Sequence, residues 1–137
     1  MKYLVDANVL SEATRPTPQV AVLQWLQDHE ADLVVTPIVL GEIEYGIRLM
    51  PAGKKRSQLL DWFRIGIQRL RVLDLDSGTG AVWAELLARL KRKGQVMPVK
   101  DSLIAASAIQ HQLTIVTRNL TDFRHVGVPL IDPFHKP

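Results

Sequence analysis

Asp101-Ser102-Leu103-Ile104-Ala105-Ala106-Ser107-Ala108-Ile109-Gln110-His111-Gln112 runs directly into Leu113-Thr114-Ile115-Val116 and then into the polar Thr117-Arg118-Asn119-Leu120-Thr121-Asp122-Phe123. Ile104, Ala105, Ala108 and Ile109 recur at the spacing of one helical face, whereas 113–116 is a short apolar run with β-branched residues, the clearest strand in the chain. Pro98 precedes Asp101, which reads as the N-cap or first turn of the 102–112 helix. A helix feeding a buried strand that opens onto a polar loop is the repeating element of a parallel α/β sheet.

The rest of the chain repeats the alternation. Tyr3-Leu4-Val5 is a short buried strand, followed at once by Asp6-Ala7-Asn8. After Pro16 and Pro18, Val20, Val22, Leu23 and Leu26 keep helical spacing with Trp25 beside them, and the helix runs out near Asp28-His29-Glu30. Leu33-Val34-Val35 is a second strand. Thr36-Pro37 then starts a helix, because a hydroxyl N-cap supplies an acceptor and proline at the first helical position lacks an N–H that would have gone unpaired. That helix carries Glu42 and Glu44. Beyond the Met50-Pro51-Ala52-Gly53 turn, Leu59, Leu60, Phe63, Ile67 and Leu70 mark another helix with Trp62 on its flank, and Arg71–Leu75 is a third strand. Ser77-Gly78-Thr79-Gly80 reads as a turn before a helix from about 81 to 93, with Val82, Leu86 and Leu90 inward and Gly94 as its C-terminal cap. The final Val128-Pro129-Leu130-Ile131 fits a short edge strand, since its proline cannot donate to a ladder. The expected fold is a three-layer α/β sandwich, a mostly parallel sheet flanked by helices, formed by residues 1–137 as one domain.

Composition narrows the chemistry. With 47% hydrophobic and 23% charged residues over 137, the chain has the makeup of an ordinary globule. There is no cysteine, which removes disulfides and thiolate metal sites and leaves oxygen or histidine as metal ligands. The apolar N-terminal run stops at Asp6, too short for a signal peptide or a membrane span, so a cytoplasmic location is expected. A net charge of +3 permits a polyanionic partner without requiring one. Its basic clusters, Lys54-Lys55-Arg56 and Arg89/Lys91/Arg92/Lys93, read first as solvated helix ends.

The acids carry more. Residues just past the carboxyl ends of parallel strands gather at one edge of a sheet, and Asp6 and Asp122 both follow strands. Asp101 opens the helix leading into the same strand as Asp122, and Glu42 lies inside the helix after the second strand. Each has an ordinary use as well: Asp101 as a cap, Asp122 as a turn residue, Glu42 as a solvated helix residue. Spacing leaves Glu42 and Glu44 both open, since they flank opposite sides of the Val39/Ile43/Ile47 arc. If the acids share a cleft, their repulsion calls for a proton or a cation, and hard oxygen ligands suit Mg²⁺ or Mn²⁺. The chemistry that such an ion supports on a phosphodiester is hydrolysis.

Val5-Asp6-Ala7-Asn8-Val9-Leu10-Ser11-Glu12, Gly41-Glu42-Ile43-Glu44-Tyr45-Gly46-Ile47, Asp101-Ser102-Leu103-Ile104-Ala105-Ala106 and Thr117-Arg118-Asn119-Leu120-Thr121-Asp122-Phe123 together resemble the PIN-domain ribonucleases in order and spacing. More narrowly, with Arg15-Pro16, Trp25 and Ile131-Asp132-Pro133-Phe134 in register, the chain is similar to the VapC toxins of type II toxin–antitoxin modules, in their FitB-like branch. That resemblance implies Mg²⁺- or Mn²⁺-dependent endonucleolytic cleavage of RNA. It implies Asp6, Glu42, Asp101 and Asp122 as both catalytic residues and metal ligands, and it favours Glu42 over Glu44 because a small residue, Gly46, follows four positions later. Thr117 and Asn119 would support the site and Asn8 would shape the loop behind Asp6. Ala7 departs from the family, whose members usually place a hydroxyl there. The resemblance further implies a cognate antitoxin, contact with operator DNA only through that antitoxin, and a homodimer. Of the cations, this reading singles out Arg118, which adjoins Thr117 and Asn119.

Two rivals remain at the level of sequence. A phosphatase of the haloacid dehalogenase type needs a second aspartate two positions after the first, where this chain has Asn8. A non-catalytic nucleic-acid- or protein-binding module could keep the fold without the chemistry.

Overall fold

In the computed structural model, which describes residues 1–134, five short strands form one parallel sheet in the order β3-β2-β1-β4-β5. The strands are β1 (Tyr3–Val5), β2 (Leu33–Val35), β3 (Arg71–Val72), β4 (Thr114–Val116) and β5 (Leu130–Ile131). The helices are α1 (Ala7–Leu10), α2 (Val20–Asp28), α3 (Pro37–Arg48), α4 (Lys54–Ile67), α5 (Ser77–Arg92), α6 (Val99–His111) and α7 (Leu120–Phe123). The architecture is the expected three-layer α/β sandwich, and among the described residues every strand pair is parallel. The last three residues of the expected 1–137 domain lie outside the described part.

Covering both faces with helices explains why the central strands read as unbroken apolar runs. Leu4, Val5, Val34, Val35, Ile115 and Val116 are all fully buried. The edges differ: Arg71 and Val72 of β3 are exposed, and β5, preceded by Pro129, borders only β4.

Local chemistry sets several boundaries. Thr36 Oγ1 accepts the Val39 N–H at 3.4 Å and Pro37 occupies the first turn of α3, as its sequence implies. Asp101 lies in the first turn of α6, whose N-cap is Pro98. The 94 position takes a positive φ of 67°, which glycine adopts without strain, at the end of α5.

Three sequence expectations need correction. Ser77-Gly78-Thr79-Gly80 is not a turn but the first turn of α5, because Asp76 and Thr79 form a reciprocal capping box that outweighs the two glycines. Strand β3 ends at Val72 rather than Leu75, and the polar 117–123 stretch contains the single helical turn α7.

The strand order fixes where a site can lie. From β1 the chain moves outward to β2 and β3, then crosses back to β4 on the other side of β1, so β1 and β4 flank the point at which the order reverses. A crevice opens beyond the carboxyl ends of two such strands. Here those ends are followed by Asp6 and Thr117.

Candidate active site

Asp6 stands directly after β1 with extended backbone and is the N-cap of α1. Its Oδ1 accepts the Ala7 N–H at 2.8 Å, and its Oδ2 accepts from Thr117 Oγ1 at 2.8 Å and from Asn8 Nδ2 at 3.3 Å. Only 4% of Asp6 is exposed. Burial raises its pKa above the usual carboxylate value, and the bonds from Thr117 and Ala7 pull in the opposite direction.

Thr117, Asn8 and Asn119 form a hydrogen-bond network around Asp6. Thr117 is fully buried and also accepts the Asn119 N–H at 3.0 Å, while Asn8 Oδ1 accepts the Arg118 N–H at 3.0 Å. Asn119 thus enters this network through its backbone. Asn8 ties the loop after β4 to the start of α1, a structural task quite different from that of an acid/base aspartate.

Asp101, in the first turn of α6, is pushed up to about 6 by burial and by the negative charges of Asp6, Asp122 and Glu42, with Lys100 opposing. Asp101 therefore feels the charge of the other three predicted acids, and Asp6 also feels that of Glu42. Asp122, on α7, is its exposed member. Glu42 projects from α3: its Oε1 accepts from Lys100 Nζ at 2.7 Å, and its Oε2 is buried without a hydrogen-bond partner. Glu44, the residue that spacing could not exclude, instead pairs with Arg48 at 2.7 Å on the helix exterior.

Among the described residues no three histidines or acids close around a common point as a preformed cage. Mg²⁺, however, keeps several waters and takes only one or two carboxylates together with phosphate oxygens. The buried, unpartnered carboxylate oxygen of Glu42 and the raised pKa of Asp101 are both features that a divalent cation would relieve. The residues fit such an ion.

Sequence reasoning missed three contributors. Lys100, which directly precedes Asp101, rather than Arg118, is the cation paired with an acid of the site; Arg118 lays its guanidinium over the Phe134 ring, 4.6 Å from the centroid. Trp83 Nε1 donates to Ser102 Oγ at 2.9 Å, and that hydroxyl donates to the Val99 carbonyl at 2.6 Å, which clamps the turn bearing Lys100 and Asp101 from behind. No short-range pattern joins residues 83 and 102. Arg89, first read as part of a solvated helix end, donates to the carbonyls of His125 and Val126 at 3.2 and 3.3 Å and so pins the chain just after α7.

Beside Glu42 opens a cleft of about 400 Å³ lined by Asn8, Ser11, Gly46, Met50 and Lys55. One member of the Lys54-Lys55-Arg56 cluster therefore lines the same cleft as Glu42.

Comparison with known proteins agrees with this fold. A family model described as the PIN domain matches residues 3–129. Toxin FitB of Neisseria gonorrhoeae is 33% identical over 136 residues, covering 96% of this chain and 98% of that protein. VapC ribonuclease Y4jK of Sinorhizobium fredii is 32% identical over 135 residues, covering 96% of each. The crystal structure of FitAcB from Neisseria gonorrhoeae superposes with a TM-score of 0.91 at 32% identity, covering 98% of this chain and 99% of that one.

Proposed function

We propose, starting from the fact that this chain belongs to the PIN-domain family, that it is a divalent-metal-dependent endoribonuclease, the toxin of a toxin–antitoxin pair. The observation that carries this reading is the gathering of acids at the switch point of the sheet, where Asp6, Asp122 and Glu42 all bear on Asp101 and Glu42 Oε2 is buried without a partner. The names of the relatives, one a toxin and one a ribonuclease, support it. In this reading residues 1–137 act as one cytoplasmic domain, a homodimer held in check by a cognate antitoxin and reaching operator DNA only through it. Among the described residues no helix is long and apolar enough to cross a membrane.

Asp6, Glu42, Asp101 and Asp122 would hold Mg²⁺ or Mn²⁺. When bound, the ion supplies a water of lowered pKa and neutralises charge on the phosphoryl oxygens and the departing alkoxide. The chain's own residues prepare the place. The Thr117 hydroxyl and the Ala7 N–H keep the Asp6 carboxylate oriented and favour its ionised form. Asn8 joins α1 to the loop after β4, and Trp83 holds the turn on which Asp101 rides. Lys55, in the cleft beside Glu42, provides a positive charge along the path of a polyanion.

The decisive experiment incubates purified protein with RNA across a Mg²⁺ and Mn²⁺ titration and again with excess chelator. Cleavage is expected with metal and none with chelator. Glu42→Gln should lower the rate about a hundredfold or more, while Glu44→Gln stays within about twofold of the parent. RNA binding without cutting at any metal concentration sinks the enzyme reading and leaves a binding module; hydrolysis of small phosphate monoesters instead points to a phosphatase.

Arg89 yields a milder expectation. Arg89→Met releases the segment after α7 and should slow RNA cleavage about tenfold by loosening the placement of Asp122. A rate equal to the parent's would show that this pin does not matter to the site.

A further inference from the structure

Lys100 is a positive charge inside an acidic crevice, and its place there rests on geometry. Its Nζ lies 2.7 Å from Glu42 Oε1, on the carboxylate whose other oxygen is buried and unpartnered. Its charge acts on Asp6 and Asp101 as well, so a single ammonium group partly neutralises three of the four acids. Lys100 is nevertheless displaceable. Its side chain is 47% exposed on a flexible stem, and an ion pair with that much solvent contact holds weakly.

We propose that Lys100 is a built-in competitor of the divalent cation: its ammonium group occupies the Glu42 carboxylate until an ion replaces it, and it thereby sets how tightly the crevice holds that ion. This inference rests on the metal-site reading above. A doubly charged ion and a unit charge about 6 Å apart repel, even at the dielectric of bulk water, by an amount equivalent to about a tenfold change in affinity. Lys100 therefore keeps the crevice from being filled at low ion concentrations, and a polyanionic substrate that brings its own negative charge favours loading.

The test measures Mn²⁺ dissociation constants by electron paramagnetic resonance of free Mn²⁺, using the full chain at fixed ionic strength. Lys100→Met is expected to bind Mn²⁺ about tenfold more tightly than the parent, with half-maximal RNA cleavage shifted to lower metal concentration in parallel. Lys100→Arg, which retains the charge, should stay within about threefold of the parent, and Lys91→Met, which removes an exposed charge near the end of α5, within about twofold. Unchanged or weaker binding by Lys100→Met overturns the inference, as does an equal shift in Lys91→Met, which would reduce the effect to net charge. If the folded parent binds no Mn²⁺ at all, the metal-site reading falls and this inference falls with it. A parent that binds the ion and a Lys100→Met variant that binds it equally well refute the inference alone.

Discussion

Asp101→Asn is expected to lose RNA cleavage by about a thousandfold, some 4 kcal/mol of barrier, and yet to melt about 3 to 6 °C above the parent at pH 7.5 in metal-free buffer. Both effects have one cause. Burial and the facing charges of Asp6, Asp122 and Glu42 raise the Asp101 pKa from 3.8 to about 6. The stability linked to that shift is fully present below 3.8, where folded and unfolded chains both hold the proton, and is lost as pH rises through about 6. At pH 7.5 the folded chain thus carries an ionised group in surroundings that disfavour it. An uncharged isostere removes that burden together with the proposed metal ligand. Thermal melts at pH 7.5 and at pH 4 check the prediction: the gain should be present at the first and nearly absent at the second. A variant that melts at or below the parent at pH 7.5 would show that Asp101 is not held against its charge. Such a trade of stability for a charged site is a common cost of function.

Thr117→Val should do the reverse, weakening fold and chemistry together. Thr117 is fully buried, donates to Asp6 Oδ2 and accepts the Asn119 N–H. Valine keeps the volume but removes the hydroxyl's bonds with Asp6, Asn119 and Asn8, which leaves the buried Asp6 Oδ2 with Asn8 alone and costs about 1–3 kcal/mol. RNA cleavage should fall about 10- to 100-fold, the usual range for losing a partner that orients a metal ligand. A purely structural role predicts the stability loss alone. The separating measurement is the pH–rate profile: the Thr117 hydroxyl lowers the Asp6 pKa against its burial, so removing it raises that pKa further and moves the acid limb to higher pH. Thr117→Ser should restore the limb; an acid limb that stays where the parent has it would assign Thr117 to the fold only.

The fold was largely legible because its determinants are local. Short β-branched runs, helical stripes, the Thr36-Pro37 start and the cap at Gly94 each act over a few residues. The failures were local too, but involved competing signals. Glycines at 78 and 80 argued for a turn, whereas the Asp76–Thr79 capping box decided for a helix. Gly78 also suits the packing of that turn, since a Cβ there would lie 2.9 Å from Gln110 Nε2.

By itself the sequence determined the alternation of strands and helices, the alphabet of oxygen ligands in a chain without cysteine, and four acids in a family order. Tertiary structure decided how those acids relate. The reversal of strand order beside β1 brings Asp6 and Thr117, 111 positions apart in the chain, to a 2.8 Å hydrogen bond. It turned Glu42 toward Lys100 and left Glu44 to Arg48 on the outside, and it connected Trp83 to the turn of Asp101. Hydrophobic periodicity records which face of each element is buried, but charge interactions depend on distances between elements, and those exist only once the sheet has closed its order.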